Sequence, residues 1–267
     1  MSTNYALPMQ SSDSPLAQAI DRWIWVFMAA FFVAITLTGF IPDSLMKVEM
    51  VRAGARAPFP LVLHAHAVLM GTFLLLLLAQ ATLMATGQRG RHMLLGRVAF
   101  VLVPVIVVVG IILVPTIYQQ VWNAAQAAPP QVQEKLRHLL GFLDNIALLQ
   151  LRIGILFPVC IALALRARRT DADFHKRMMF LATVLPLPAA IDRISWLPTT
   201  MPGGPLATDL YTLLAVSPMF LWDLVRHRSV QRAYLVWLGL FLPFAIAADL
   251  LWDTPGWHAL ASQVLRP

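Results

Sequence analysis

The chain has 267 residues, of which 59% are hydrophobic and only 12% charged, and a formal net charge of +7. A soluble domain carries roughly 25% charged residues, so this composition excludes that class and implies one compact, all-α polytopic membrane domain. The positive balance does not argue for nucleic acid, because the Lys and Arg residues sit in short clusters between apolar runs, as membrane topology requires.

Residues 1–20 read as a polar, Ser-rich tail without the basic start and short apolar core of a cleavable signal peptide. A spanning helix needs about 20 apolar residues, and seven runs meet that need within a transmembrane domain of residues 21–253. They are Trp23 to Ile41, ended by Pro42; Phe59 to Gly87; Val98 to Tyr118; Leu139 to Leu165; Met178 to Trp196, bent by Pro186 and Pro188; Leu210 to Val225; and Ala233 to Trp252. Residues 254–267 read as a weakly ordered or interfacial tail, and Trp residues near the span ends suit an interfacial belt. The one cysteine, Cys160, lies in an apolar run, so no intrachain disulfide and no C-x-x-C-H haem attachment exist.

The loops after the second, fourth and sixth spans hold eleven Lys and Arg residues, and the opposite side holds six. The positive-inside bias puts the N-terminus in the cytoplasm and the C-terminus outside. Arginine far exceeds lysine and alanine is abundant, which suggests a bacterial inner (plasma) membrane.

The uncharged run from Phe59 to Gly87 carries His64 and His66. Residues i and i+2 of a helix lie about 200° apart, so only one of the two can face a shared site. Gly71, seven residues beyond His64, favours His64, because a glycine there lets a flat cofactor or a neighbouring helix approach; His66 shares a face with Met70, Phe73 and Gln80. In the fourth span His138, Asn145 and Arg152 recur at i, i+7 and i+14, a single stripe. An arginine deep in a span costs at least about 2.5–3.5 kcal/mol without partners, so Arg152 must face the interior. Asp144, Gln80 or a bound anion are its candidate partners. His92 and His175 start the third and fifth spans beside basic residues, and can face each other at the inner end. Asp223 precedes Arg226 and His227 at helical ion-pair spacing, and Asp192 beside Arg193 suits a contact across helices or an anion at the outer face. No lysine lies within a span, which excludes a retinal Schiff base, and the motifs of zinc proteases, serine hydrolases and P-loop enzymes are absent.

Histidines on the second and fourth spans at one face, and before the third and fifth at the other, give a pattern that resembles the transmembrane di-haem b-type cytochromes of the ascorbate and ferric-reductase kind. The string H-A-V-L-M-G, His66 to Gly71, is similar to that family's first-histidine motif H-P-x-L-M-x-x-G, with Ala67 in place of the proline. H-x-x-L-G-R and H-K-R-x-M, here His92 to Arg97 and His175 to Met179, also resemble motifs of bacterial multi-span proteins of unknown function. The cytochrome resemblance covers residues 59–197. It implies haem b, with iron ligated by His64 or His66 and His138 at the outer face and by His92 and His175 at the inner face. Arg152 or Arg193 would support propionates or a quinone, and electrons would pass across the bilayer from a quinol or small reductant. Two further expectations stand beside this redox reading. One is a non-enzymatic transporter or accessory protein with a polar site around Arg152. The other is an outer-face metal site of His64 or His66, His138 and a carboxylate such as Asp192.

Overall fold

A computed structural model describes residues 14–266 and is helical throughout, with no strand among those residues. Ten α-helices follow in order: α1 Pro15–Arg52, α2 Leu61–Ala85, α3 Arg89–Leu95, α4 Ala99–Ala127, α5 Pro130–Ala167, α6 Ala172–Val184, α7 Pro188–Ile191, α8 Leu206–His227, α9 Arg232–Leu251 and α10 Pro255–Leu265. A 3-10 turn, Gly96–Val98, joins α3 to α4 so that residues 89–127 run on as one apolar rod.

Five of these stretches are long and apolar enough to cross a membrane: α1, α2, α3 with α4, α5 and α9. The two other expected spans differ from them. The run 178–196 is broken into α6 and α7 by a turn at 185–187, where Pro186 and Pro188 interrupt the backbone ladder. The run 210–225 lies within α8, whose ends carry the buried Asp209 and Asp223.

Local chemistry sets most of the helix ends. The Ser14 hydroxyl accepts the amide of Ala17 at 3.2 Å with Pro15 at the first helical position of α1. Asp171 accepts the amide of Phe174 at 2.9 Å to start α6. Gly87 turns the chain after α2 at φ +74°, a conformation that costs glycine little. Contrary to expectation, Pro42 does not end the first helix, which continues to Arg52. Proline is tolerated inside spanning helices because neighbouring groups satisfy the freed carbonyl, and α4, α5, α8 and α9 carry internal prolines too. Within the expected tail, residues 255–265 form α10 through a Thr254 cap and Pro255 at its first position, and α10 packs on α4 and α5.

The core is continuous from Phe32 of α1 through Phe73, Ile106, Phe157 and Leu181 to Trp237 and Phe241 of α9. The outer surface is apolar: Val101, Val108 and Ile111 of α4 are exposed, and a hydrocarbon solvent explains such a face. The buried polar side chains come from α5, α6 and α8: Asp144, Asn145, Arg152, Arg177, Thr183, Thr208, Asp209, Thr212 and Asp223. Polar groups inside and apolar groups outside place the functional question in that three-helix seam.

Candidate functional site: two buried ion pairs on one helix

Arg152 on α5 is 1% exposed. Its guanidinium donates two hydrogen bonds to Asp209 in the first turn of α8, at 2.9 and 2.6 Å, and lies 4.9 Å over the Phe241 ring of α9. The planar fork suits a carboxylate bidentately, and an arginine cannot shed its charge by deprotonation, so a paired carboxylate is the stable solution at this depth. The expected partners are corrected here. Asp144 is engaged elsewhere, and Gln80 has a buried Oε1 with no hydrogen-bond partner. Alongside the pair, Thr208 donates its hydroxyl to Asp192, and Thr212 donates to the Thr208 carbonyl at 2.9 Å.

A second buried pair closes the other end of α8. Arg177 of α6 donates to both oxygens of Asp223 at 2.7 Å, and the Tyr234 hydroxyl of α9 donates to Asp223 at 2.6 Å. His227 approaches Arg177 at 3.2 Å, and Trp25 of α1 lies 5.8 Å from the guanidinium. The expected pairing of Asp223 within its own helix is therefore secondary. His227 stands 3.7 Å from Asp223, while Arg226 binds Asp21 of α1 at 2.8 Å. A cleft of about 420 Å³ opens beside this cluster, lined by Asp21, Trp25, Lys176, Arg177, Arg226 and His227 among others. Asp209 and Asp223 are fourteen residues apart, so the two pairs are about 21 Å apart along α8 at 1.5 Å per residue. Between them Ala215, Val216 and Met219 are buried and form an apolar layer.

Arg193 reaches Asp43 of α1 at 3.2 Å and lies 4.7 Å over Phe40, so the Asp192–Arg193 step does work across helices. In the N-terminal half of α5, a cluster absent from the sequence reading joins α5 to α10. His258 stands 3.0 Å from Asp144 and 3.0 Å from Asp253, the Asp253 amide donates to Asn145, and the Trp257 indole donates to the Asp144 carbonyl. Burial disfavours the charged imidazole of His258, but the hydrogen bonds and charges of Asp253 and Asp144 outweigh it and hold its pKa above the usual value. The Thr254-Pro255 step, a helix-start signal, marks this segment in the sequence.

The five expected histidine ligands part company. His64 is exposed and meets the Phe59 ring edge-on at 6.0 Å. His66 turns inward instead: its Cε1 lies 3.9 Å from the Cβ position of Gly110 on α4, and its buried Nδ1 has no hydrogen-bond partner. The preference for His64 is thus reversed, and Gly71 has open space around it. His138 is exposed and pairs with Glu134 on its own helix at 3.2 Å. At the opposite end His92 and His175 come close. The two rings are close enough to interact electrostatically, and Arg168 lies near His175 as well. The His175 ring bonds the Ala164 carbonyl through Nδ1 at 2.8 Å, and His92 reaches the Gln80 carbonyl through Nδ1 at 3.4 Å. A carbonyl only accepts, so each Nδ1 is the donor, and in the neutral form of such a ring Nε2 is the atom with the lone pair, as in metal-ligating histidines. No group of three or more His, Cys, Asp or Glu placed to hold a metal ion occurs among the described residues.

No protein-family model, curated protein or solved structure matches the chain. The side-chain geometry therefore carries the functional argument alone.

Proposed function

We propose that the chain is a non-enzymatic, proton-linked transporter of the bacterial inner membrane. It would cross the bilayer seven times with its N-terminus in the cytoplasm, α6 with α7 and α8 completing the count beside the five apolar helices. The observation that carries this reading is the placement of Asp209 and Asp223 at the two ends of α8, each held by a buried arginine from a different helix. Ionisable residues inside a membrane bundle are expensive and mark ion and proton routes. Titratable carboxylates are the groups that take up and release protons there, and neutralising either one frees its arginine. Each pair is therefore a latch, one at each mouth of the bundle, with the apolar layer at Ala215, Val216 and Met219 sealing the space between them. Opening one latch at a time admits water from one side only.

The test is flux. Liposomes loaded with a pH-sensitive dye and carrying the purified protein should dissipate an imposed pH gradient faster than empty liposomes. Asp209→Asn and Asp223→Asn should each abolish the difference. Proteoliposomes no leakier than empty ones, across inward and outward gradients, contradict the proposal and favour an assembly or accessory role.

The His92–His175 geometry favours a second reading, a redox site at the α3–α6 end. The two Nε2 atoms would hold the iron of one haem b, which would supply one-electron transfer with a quinone or small reductant. Oxidised and reduced visible spectra of protein from haem-supplied cells decide it. A b-type spectrum lost in His175→Ala but kept in His138→Ala supports it, and a colourless preparation removes it.

A further inference from the structure

The cleft at the turn between α4 and α5 has a volume of about 480 Å³ and is lined by Tyr118 and Trp122 of α4, Arg137, Leu140 and Asp144 of α5, and His258 and Arg266 of α10, among others. Asp144 is the unusual member. Its side chain is 8% exposed, His258 occupies Oδ2, and its buried Oδ1 accepts no hydrogen bond of ordinary geometry, although the Tyr118 hydroxyl is close enough to interact with the carboxylate. A buried carboxylate oxygen left unpaired costs free energy that a donor group would recover. Arg137 lies seven residues before Asp144 on the same face of α5, about 10 Å away along the helix. It carries no ion pair among the described residues. Arg266 lies 4.4 Å over the Trp122 ring at the same mouth. The cleft thus offers an acceptor at depth, cations at the rim, and an apolar wall of Trp122 and Leu140.

We propose that this cleft binds a zwitterionic amphiphile, with a primary ammonium on Asp144 and an anionic oxygen group on Arg137 and Arg266. Two sources share that chemistry: the headgroup of an ethanolamine phospholipid, and a free amino acid with a bulky apolar side chain. The site stands apart from the α8 latches, and its occupancy is read without transport, so its failure and the failure of the transport proposal are separate results.

The experiment uses the full-length protein in a maltoside detergent. Thermal stability is titrated with dihexanoyl phosphatidylethanolamine, dihexanoyl phosphatidylcholine and L-phenylalanine. The expected result is a saturable shift with the ethanolamine lipid or with phenylalanine, identifying the source, and binding at least about tenfold weaker in Asp144→Asn, the scale of one lost charged hydrogen bond. Arg137→Gln, which alters an exposed residue and leaves the Asp144–His258 contact in place, should weaken binding similarly. Phosphatidylcholine, whose quaternary nitrogen has no N–H to donate, should bind at least tenfold more weakly than the ethanolamine lipid. Measurable and equal binding of the two lipids, affinity unchanged in Arg137→Gln, or no response to either the ethanolamine lipid or phenylalanine would each overturn the proposal.

Discussion

Replacing Asp209 by alanine leaves the Arg152 guanidinium buried, charged and without its two hydrogen bonds, since Arg152 is 1% exposed. The Phe241 ring remains as an attractive neighbour at 4.9 Å, and a cation–π contact contributes about 2 kcal/mol when desolvated. Breaking one side of a buried pair costs about 3–5 kcal/mol, because desolvation stays while the attraction is lost. The double variant Arg152→Met with Asp209→Leu removes both charges at similar volume, and such replacements are near neutral or stabilising. Reversible unfolding in mixed micelles, titrated with SDS, measures all three. The expected order is a loss of about 3–5 kcal/mol for Asp209→Ala and within about 1 kcal/mol of wild type for the double variant. A single-variant loss below about 1 kcal/mol, or a double variant as unstable as the single, refutes a sealed, mutually dependent pair.

Other positions give independent checks. A methyl group on Gly39 would collide with the Ala190 carbonyl oxygen where α1 crosses α7, whereas Gly71 meets nothing; thermal denaturation should show Gly39→Ala destabilised by about 1–3 kcal/mol or more and Gly71→Ala unchanged. His66→Leu removes an unpartnered buried nitrogen, so stability should hold or rise, and a loss above about 1 kcal/mol would mean that the nitrogen has a partner. The docking of α10 should depend on pH. His258 is raised above its usual 6.5, so its contribution is full below that value and is lost as pH rises through the folded pKa. The Asp253 carboxyl is lowered from 3.8 by hydrogen bonds from His258 and Asn145, so its contribution is present above that value and is lost as pH falls through the folded pKa. Hydrogen exchange of residues 255–265 should therefore be slowest near about pH 5 and quicken above about pH 7, and an intrinsically corrected profile that is flat, or one unchanged in His258→Ala, contradicts the clamp.

The apolar runs were legible because bilayer thickness imposes a length that sequence shows directly, and five of them stand as helices able to cross a membrane. The inward face of Arg152 was legible for the same reason: a lone cation has no other stable direction. Its partner was not, because Asp209 lies 57 residues away and spacing within one helix says nothing about which neighbour comes alongside. The same limit misdirected Asp223, whose nearby Arg226 and His227 were the visible candidates while Arg177 arrives from α6. Helix geometry correctly allowed only one of His64 and His66 to face inward, but glycine spacing chose the wrong one; the decisive glycine, Gly110, sits on α4. Pro42 misled for a local reason, since a proline that stops a soluble helix need not stop one in a bundle. His258 was passed over because its segment reads as a tail by hydropathy, although its cap residues announce a helix.

The central claim is that α8 carries two latches that open toward opposite sides. Ala215 lies between them, so a cysteine placed there in a Cys160→Ser background reports access to the sealed layer. Labelling with a membrane-impermeant maleimide is compared in right-side-out and inverted membrane vesicles. Ala215→Cys alone should label slowly from both sides. Adding Asp209→Asn should raise labelling from the outside only, and adding Asp223→Asn should raise it from the cytoplasmic side only. Equal labelling from both sides in either variant, or no change in both, contradicts the account.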